Sequence, residues 1–316
     1  MLSPVPSSSA SRRLRGLIQL ADPKIWVAST VPMFAAGALA YADTGSFAIG
    51  WFLLTLVGIY AVEVGKNAVN EVVDWRSGAD RFVAPEDATP FSGGKKTITG
   101  GLLRERDAIW IAVGSFALAA LAGLPIVLFR TWHALWIAAL GGFLALAYSA
   151  PPFSFCYRGL GELVVGVTFG PLLSLGTYVV QTGELSVRPV AIGVPIGILI
   201  ASVLWINEFP DFEADRRANK RNLVVRMGKA RARVVYAWLL GLAEAALIGV
   251  AVYLRNPWAV LGLAGSAEAY RAAKVCWRAY DCTAELVPAN AGTVKTYILT
   301  GAGLIAGALL GRWLPL

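Results

Sequence analysis

Apolar runs of about twenty residues, separated by short polar stretches, recur along the whole chain. Wound as helices, runs of that length match the hydrocarbon core of a bilayer. Nine are predicted as transmembrane helices: 24–42, 48–72, 108–129, 132–150, 160–181, 189–208, 231–254, 257–275 and 289–313. The eighth carries Glu268, Arg271 and Lys274 near its end. Residues 1–20 are rich in Ser and Pro and then basic, without the hydrophobic region of a signal peptide. A flexible cytoplasmic tail over 1–22 is therefore expected ahead of one membrane domain over 23–316.

Composition agrees with the pattern. Hydrophobic residues make up 57% of the chain and charged residues 15%, against roughly 25% charged in a soluble domain. A single core does not hide that much apolar surface, so lipid must cover the rest. The fold class is an all-α polytopic membrane protein. Cys156, Cys276 and Cys282 form no C-x-x-C pair or disulfide framework. One histidine, His133, excludes sites that need several imidazoles.

The net charge of +8 is mostly topological. Only Arg130, Arg188, Arg255 and Arg312 fall on one side of the predicted spans, Lys66 and Lys295 fall within them, and every other Lys and Arg falls on the opposite side. The positive-inside rule then places the N-terminus in the cytoplasm and, after nine spans, the C-terminus outside. Nucleic acid is not the partner this charge implies. The two long cytoplasmic connections, near 75–107 and 209–230, are rich in both acids and bases.

The second span ends in Glu63, Lys66, Asn67, Asn70, Glu71 and Asp74, followed by a turn to Asp80. Spacings of three and four put positions 63, 66/67, 70 and 74 along one helical face. Ionisable groups at that depth usually face a bundle interior or a watery cavity. The sixth span ends likewise in Asn207, Asp211 and Asp215, with Glu208 and Glu213 between and Pro210 breaking the helix. Amide and carboxylate oxygens are hard ligands suited to Mg²⁺, which is commonly held by one or two carboxylates and substrate phosphates. Each cluster opens into cations: Arg76, Arg81, Lys95 and Lys96 after the first, and Arg216, Arg217, Lys220, Arg221 and Arg226 after the second. Acids that collect Mg²⁺ beside bases that collect phosphate oxygens describe a diphosphate site. Asn67 and Asn207 stand 140 positions apart, each near the end of a span, which suggests a pseudo-repeat with the site between its halves.

These segments resemble a known family. N-A-V-N-E-V-V-D-W-R-S-G-A-D (67–80) and N-E-F-P-D-F-E-A-D-R-R-A-N-K-R-N-L-V-V-R-M-G (207–228) are similar to the two signature motifs of UbiA-superfamily intramembrane prenyltransferases. The likeness is strongest to the MenA-like 1,4-dihydroxy-2-naphthoate branch, through T-P-F-S-G-G (89–94) and G-G-L-L (100–103). A-Y-S-A-P-P (147–152), G-L-G-E (159–162), F-G-P-L (169–172) and Pro23-Lys24 add to it. Glu71 departs from the Asp more usual there, Asp74 to Asp80 is a longer spacing than in many relatives, and Lys95-Lys96 replaces small or polar residues.

The resemblance implies a nine-helix bundle around a central cavity that transfers a polyprenyl chain from its diphosphate to an aromatic acceptor. In the dihydroxynaphthoate branch carbon dioxide and a proton are lost, in menaquinone biosynthesis. Asn67, Asn70 and Asp74, assisted by Asp80, are expected to hold one Mg²⁺, and Asn207, Asp211 and Asp215 a second. Lys24, Lys66, Arg76 and Arg158 are candidates for the remaining phosphate charge, and Tyr148 and Glu162 for orienting the acceptor or taking its proton. Other acceptors (hydroxybenzoate, homogentisate), an intramembrane terpene cyclase and an ion-coupled transporter are the competing readings. Partners are expected to be the two substrates and the bilayer, in a bacterial-type cytoplasmic membrane with the site opening to the cytoplasm and no obligate protein partner. Trp110, Trp132, Trp136, Trp258 and Trp313 sit near span ends, as interfacial belt residues do.

Overall fold

A computed structural model describes residues 9–314. Among them the regular structure is helical throughout. The helices are α1 (Ser9–Ala21), α2 (Val27–Thr44), α3 (Ile49–Ser77), α4 (Glu105–Phe129), α5 (His133–Ala147), α6 (Gly161–Val167) and α7 (Leu173–Thr182). The second half adds α8 (Arg188–Asn207), α9 (Phe212–Arg217), α10 (Leu223–Met227), α11 (Lys229–Leu254), α12 (Ser266–Ala279) and α13 (Thr283–Trp313).

Among the described residues seven helices are long and apolar enough to cross a membrane. They are Ser11–Thr44, which runs from α1 through the short 3-10 turn Pro23–Trp26 into α2, then Ile49–Ser77, Glu105–Phe129, Gly161–Thr182, Arg188–Asn207, Lys229–Leu254 and Thr283–Trp313. The other two predicted spans take different forms. The fourth is α5, only 15 residues long, or about 22 Å at 1.5 Å per residue. The eighth starts as a 3-10 helix over Pro257–Gly265, and its charged end forms the separate α12. The 3-10 segment packs tightly on α13: a Cβ at Gly303 or Gly307 would overlap the carbonyls of Leu261 or Trp258.

Residues 9–21 are also corrected. A flexible tail is predicted there, yet α1 is a helix whose Leu20 is buried against Ala68, Leu103 and Ala112. Residues 1–8 of that predicted tail lie outside the described residues.

The bundle has a dense side and a hollow one. α2, α8, α11, α12 and α13 share one continuous core that includes Ile192, Ile196, Leu199, Trp205, Tyr236 and Tyr297. In lipid, helix association comes from close packing more than from apolar burial, so small residues mark the contacts. Gly170 and Gly197 meet in this way: a Cβ at Gly170 would overlap the Gly193 carbonyl and the Gly197 backbone. Gly170 lies in a π-helical turn, Thr168–Leu172, that also holds Pro171 and joins α6 to α7. On the other side α3, α4, α5 and α7 surround a cavity of about 770 Å³. Leucines and aromatics on the far faces of α4 and α5, among them Leu121, Leu128 and Trp136, are exposed. Trp110, Trp132 and Trp313 are exposed as belt residues would be, whereas Trp258 is half-buried and donates to the Leu314 carbonyl.

Candidate active site

Both acidic clusters lie at one end of the bundle, where α3 and α8 terminate. Gly78, in the left-handed region (φ 83°), ends α3 by donating to the Asp74 carbonyl. The chain then turns so that Asp80 is buried on a short 3-10 segment. On the other side α8 stops at Asn207, and α9 begins just after Asp211. Lys220 joins the two clusters. Its ammonium lies 3.9 Å from Asp74 and 3.5 Å from Asp215, so residues far apart in sequence face each other at one mouth.

Each carboxylate is fixed differently. Tyr157 donates to Asp74 (2.8 Å) and also pairs with Ser77. Asn222, the N-cap of α10, donates to Asp215 (2.8 Å). The Gly93 backbone amide lies close enough to Asp211 to favour its ionised form. Gly94 lies so near Asp80 that any Cβ there would collide with the carboxylate, and its φ of +72° independently favours glycine. The S-G-G stretch of the first long connection therefore touches both motifs.

The electrostatics follow from crowding. Burial, then Asp74 and Glu71, push Asp80 up to about 7. Burial and Asp215 push Asp211 to about 7 as well. Asp215 is also raised, first by burial. Burial alone would lower the Lys220 ammonium, but Asp215 and Asp74 outweigh it and hold its pKa above the ordinary lysine value. The site thus carries one firmly held cation among carboxylates that have not all lost their protons at neutral pH.

These residues fit Mg²⁺ as a shared ligand rather than as a closed cage. Among the described residues no three His, Cys, Asp or Glu side chains gather closely enough to hold an ion alone. Yet Asp80 Oδ2 and Asp211 Oδ1 are buried acceptors without a hydrogen-bond partner, an arrangement that costs free energy unless something binds them. Hard oxygen donors that leave coordination positions for substrate phosphates are what Mg²⁺ prefers.

The hollow of the bundle opens beneath this mouth. Asn67, Asn70, Tyr148, Asn207, Lys66 and Lys95 line its polar end, while Val, Leu, Ala and Gly line the remainder. Asn70 donates to Ser149 (3.0 Å), and Asn207 accepts from Asn290 (2.8 Å). Lys66 pairs with Glu63 (2.9 Å) and lies over the Phe169 ring. Lys95 pairs with Asp22, and its carbonyl accepts from Gln19 of α1, so the N-terminal helix fastens the first long connection.

Several expected site residues are placed elsewhere. Arg76 is exposed and pairs with Glu105 (2.6 Å). Arg158 is exposed and donates to the Pro152 carbonyl. Lys24 is exposed on the turn before α2 and does not line the cavity. The side-chain amide of Asn67 donates to the Leu20 carbonyl, anchoring α1. Glu162 is buried beneath α10, where it accepts from the Leu223 N–H (2.7 Å), so it caps a helix instead of facing the cavity. Glu71 likewise anchors Thr97 and Ile98. In their place the fold brings Lys220, Lys95, Tyr157 and Asn222. Lys220, five residues after Asp215, carries a local signal, whereas nothing near Tyr157 in sequence points to Asp74.

Comparison with known proteins agrees with this architecture. The chain is similar to the 1,4-dihydroxy-2-naphthoate octaprenyltransferase of Mycobacterium tuberculosis, 33% identical over 90% of this chain and 96% of that protein. It is 27% identical to the Escherichia coli protein of the same name, over 93% of this chain and 98% of that one. Among solved structures, a UbiA homolog from Archaeoglobus fulgidus bound to GPP and Mg²⁺ superposes with a TM-score of 0.64 at 16% identity, covering 92% and 99% of the two chains. The apo UbiA homolog from Aeropyrum pernix K1 gives 0.68 at 18% identity, covering 88% and 96%. Residues 30–287 match the UbiA prenyltransferase family, and with the motifs, the bundle and the mouth in agreement, this multi-pass membrane chain belongs to it.

Proposed function

We propose that the protein transfers a polyprenyl group from its diphosphate to 1,4-dihydroxy-2-naphthoate. One observation carries the reading: Lys220 bridges Asp74 and Asp215, and Asn70, one helical turn before Asp74 on α3, lines the polar end of a large apolar cavity. A diphosphate head and an isoprenoid tail have this same division of polarity. The acceptor follows from the names of the relatives that match most of the chain. The Archaeoglobus homolog was solved with a prenyl diphosphate and Mg²⁺ together, which supports the same cofactor here.

In this reading Asn70, Asp74 and Asp80 hold one Mg²⁺, and Asn207, Asp211 and Asp215 a second. When bound, Mg²⁺ supplies Lewis-acid neutralisation of the leaving diphosphate. The protein's own groups do the rest. Lys220 keeps the two motifs together, while Lys66 and Lys95 offer ammonium groups at the cavity rim. The apolar walls of α3, α4, α5 and α7 take the tail; each methylene favours such surroundings by about 0.8 kcal/mol. The C1–O bond of the donor breaks and its electron pair leaves with pyrophosphate. Phe169 and Tyr148 line the cavity and would offer aromatic rings to the allylic cation. The electron-rich ring then bonds to C1, and its carboxyl group departs as carbon dioxide and a proton. Tyr148 orients the acceptor.

The reading includes one membrane domain over 23–316, against which α1 packs, and nine crossings, with α5 and residues 257–275 completing the set. The N-terminus and the carboxylate mouth face the cytoplasm, as the positive-inside rule requires. The test is direct: full-length protein in detergent receives Mg²⁺, geranylgeranyl diphosphate and dihydroxynaphthoate. A prenylated naphthoquinol that disappears with EDTA or with Asp211→Asn supports the proposal. Pyrophosphate release without an acceptor, or prenylation of hydroxybenzoate instead, overturns it.

A further inference from the structure

A second cavity, of about 220 Å³, lies at the opposite end of the bundle. Here α2, α11 and α13 end and α8 begins. The twenty residues of α8 separate its ends by about 30 Å, so this pocket is remote from the carboxylate mouth. Of the four arginines that the chain places at this end, three (Arg188, Arg255 and Arg312) line the pocket. The fourth, Arg130, donates to the Val180 and Gln181 carbonyls. Basic residues are disfavoured on this side of a membrane protein, so three in one pocket call for a counter-charge.

The protein supplies only part of it. Asp43 is the one acid in the lining. Arg188 already engages both its oxygens, at 2.9 and 3.1 Å, and Tyr178 donates to one of them at 2.9 Å. Arg312 gives one N–H to the Ala42 carbonyl at the end of α2. Helix capping accounts for that single bond, whereas a guanidinium has five N–H donors. The Arg255 guanidinium is exposed and has no hydrogen bond or ion pair among the described residues. Beneath the cations the floor is apolar, formed in part by the buried Leu39, Ile192 and Leu304. The volume has room for several waters of about 30 Å³ each, enough for a phosphate and its glycerol but too little for acyl chains.

The geometry points to a binding site for the phosphate headgroup of an anionic phospholipid, held by Arg255 and Arg312 beside the Arg188–Asp43 pair. The acyl chains remain in the bilayer. Delipidated full-length protein in neutral detergent tests this. Phosphatidylglycerol, phosphatidylcholine and inorganic phosphate are each titrated, with binding read by native mass spectrometry and thermal unfolding. Phosphatidylglycerol is expected to bind about tenfold more tightly than phosphatidylcholine, on the scale of one to two charge contacts. Arg255→Gln should weaken phosphatidylglycerol about fivefold while the unfolding temperature without lipid stays unchanged; Arg255→Lys should restore most of the loss. Equal binding of the two lipids, an unaltered affinity in a folded Arg255→Gln protein, or equal stabilisation by inorganic phosphate alone overturns the assignment. Should Arg255→Gln not fold, the lipid comparison on the unmodified protein decides the question by itself.

Discussion

The two sides of the bundle use similar residues to opposite ends. The most apolar stretch of α8 is 61% buried within the protein, and that of α4 only 17%. Both helices are highly apolar, so composition does not separate them. Partners do: α8 packs on α6, α11 and α13, with glycine faces in backbone contact, whereas α4 has α3 on one flank, a lighter contact with α5, and the cavity or lipid elsewhere. The lesson is that the dense side fixes the second motif at the end of α8, and the hollow side, whose α3 carries the first, leaves room for a chain beside them.

The sharpest way to break this division is at the mouth. Asp74→Asn removes charge without volume and should lower prenyl transfer by about 10³-fold, with the unfolding temperature little changed. A comparable loss of folding would instead make the acid a structural member of the bundle. Next comes a matched pair of insertions. Gly170→Leu forces a side chain into backbone at the α8 contact and should destabilise by about 3 kcal/mol or more. Gly142→Leu adds the same volume on α5, where a Cβ meets nothing within 4 Å. Stability there should change by less than about 0.5 kcal/mol, while turnover shifts toward shorter donors. Thermal unfolding and a donor-length series separate the two; equal destabilisation would mean the hollow is filled in the working protein.

A smaller effect concerns pH. Asp80 and Asp211 titrate near 7 without metal, and metal binding requires both deprotonated. Raised carboxylate pKa values mean that protons must leave as Mg²⁺ enters, so apparent affinity rises with pH through 7. Between pH 8 and 6 it should fall about tenfold for each of the two carboxylates that binds. Calorimetry of Mg²⁺ binding in buffers of different ionisation enthalpy would count the protons released. A pH-independent affinity would mean that other oxygens coordinate.

How much of this was legible in sequence depends on distance along the chain. Period and length reveal the seven long crossings, and spacings of three and four put Asn70 with Asp74 and Asp211 with Asp215. What local pattern does not carry is closure between remote segments. Asn67 sits on the right face of α3, yet its amide holds α1 through Leu20. Glu162 looks like a site acid, yet it caps α10, 61 positions later. Arg76 and Arg158 lie near the motifs in sequence but outside the cavity, while Tyr157 reaches Asp74 across 83 positions. The close contact of Pro257–Gly265 with α13 depends on Gly303 and Gly307, more than forty residues away.

Lys220 has a consequence for how the unloaded protein persists. Two acidic segments brought mouth to mouth with nothing between them would push apart, and each loop would then have to be recaptured whenever substrate arrived. A tethered ammonium is a resident counterion that never diffuses away. Loading a divalent cation is therefore closer to ion exchange than to assembly: the seat is kept warm, and the newcomer redistributes charge within a frame already standing.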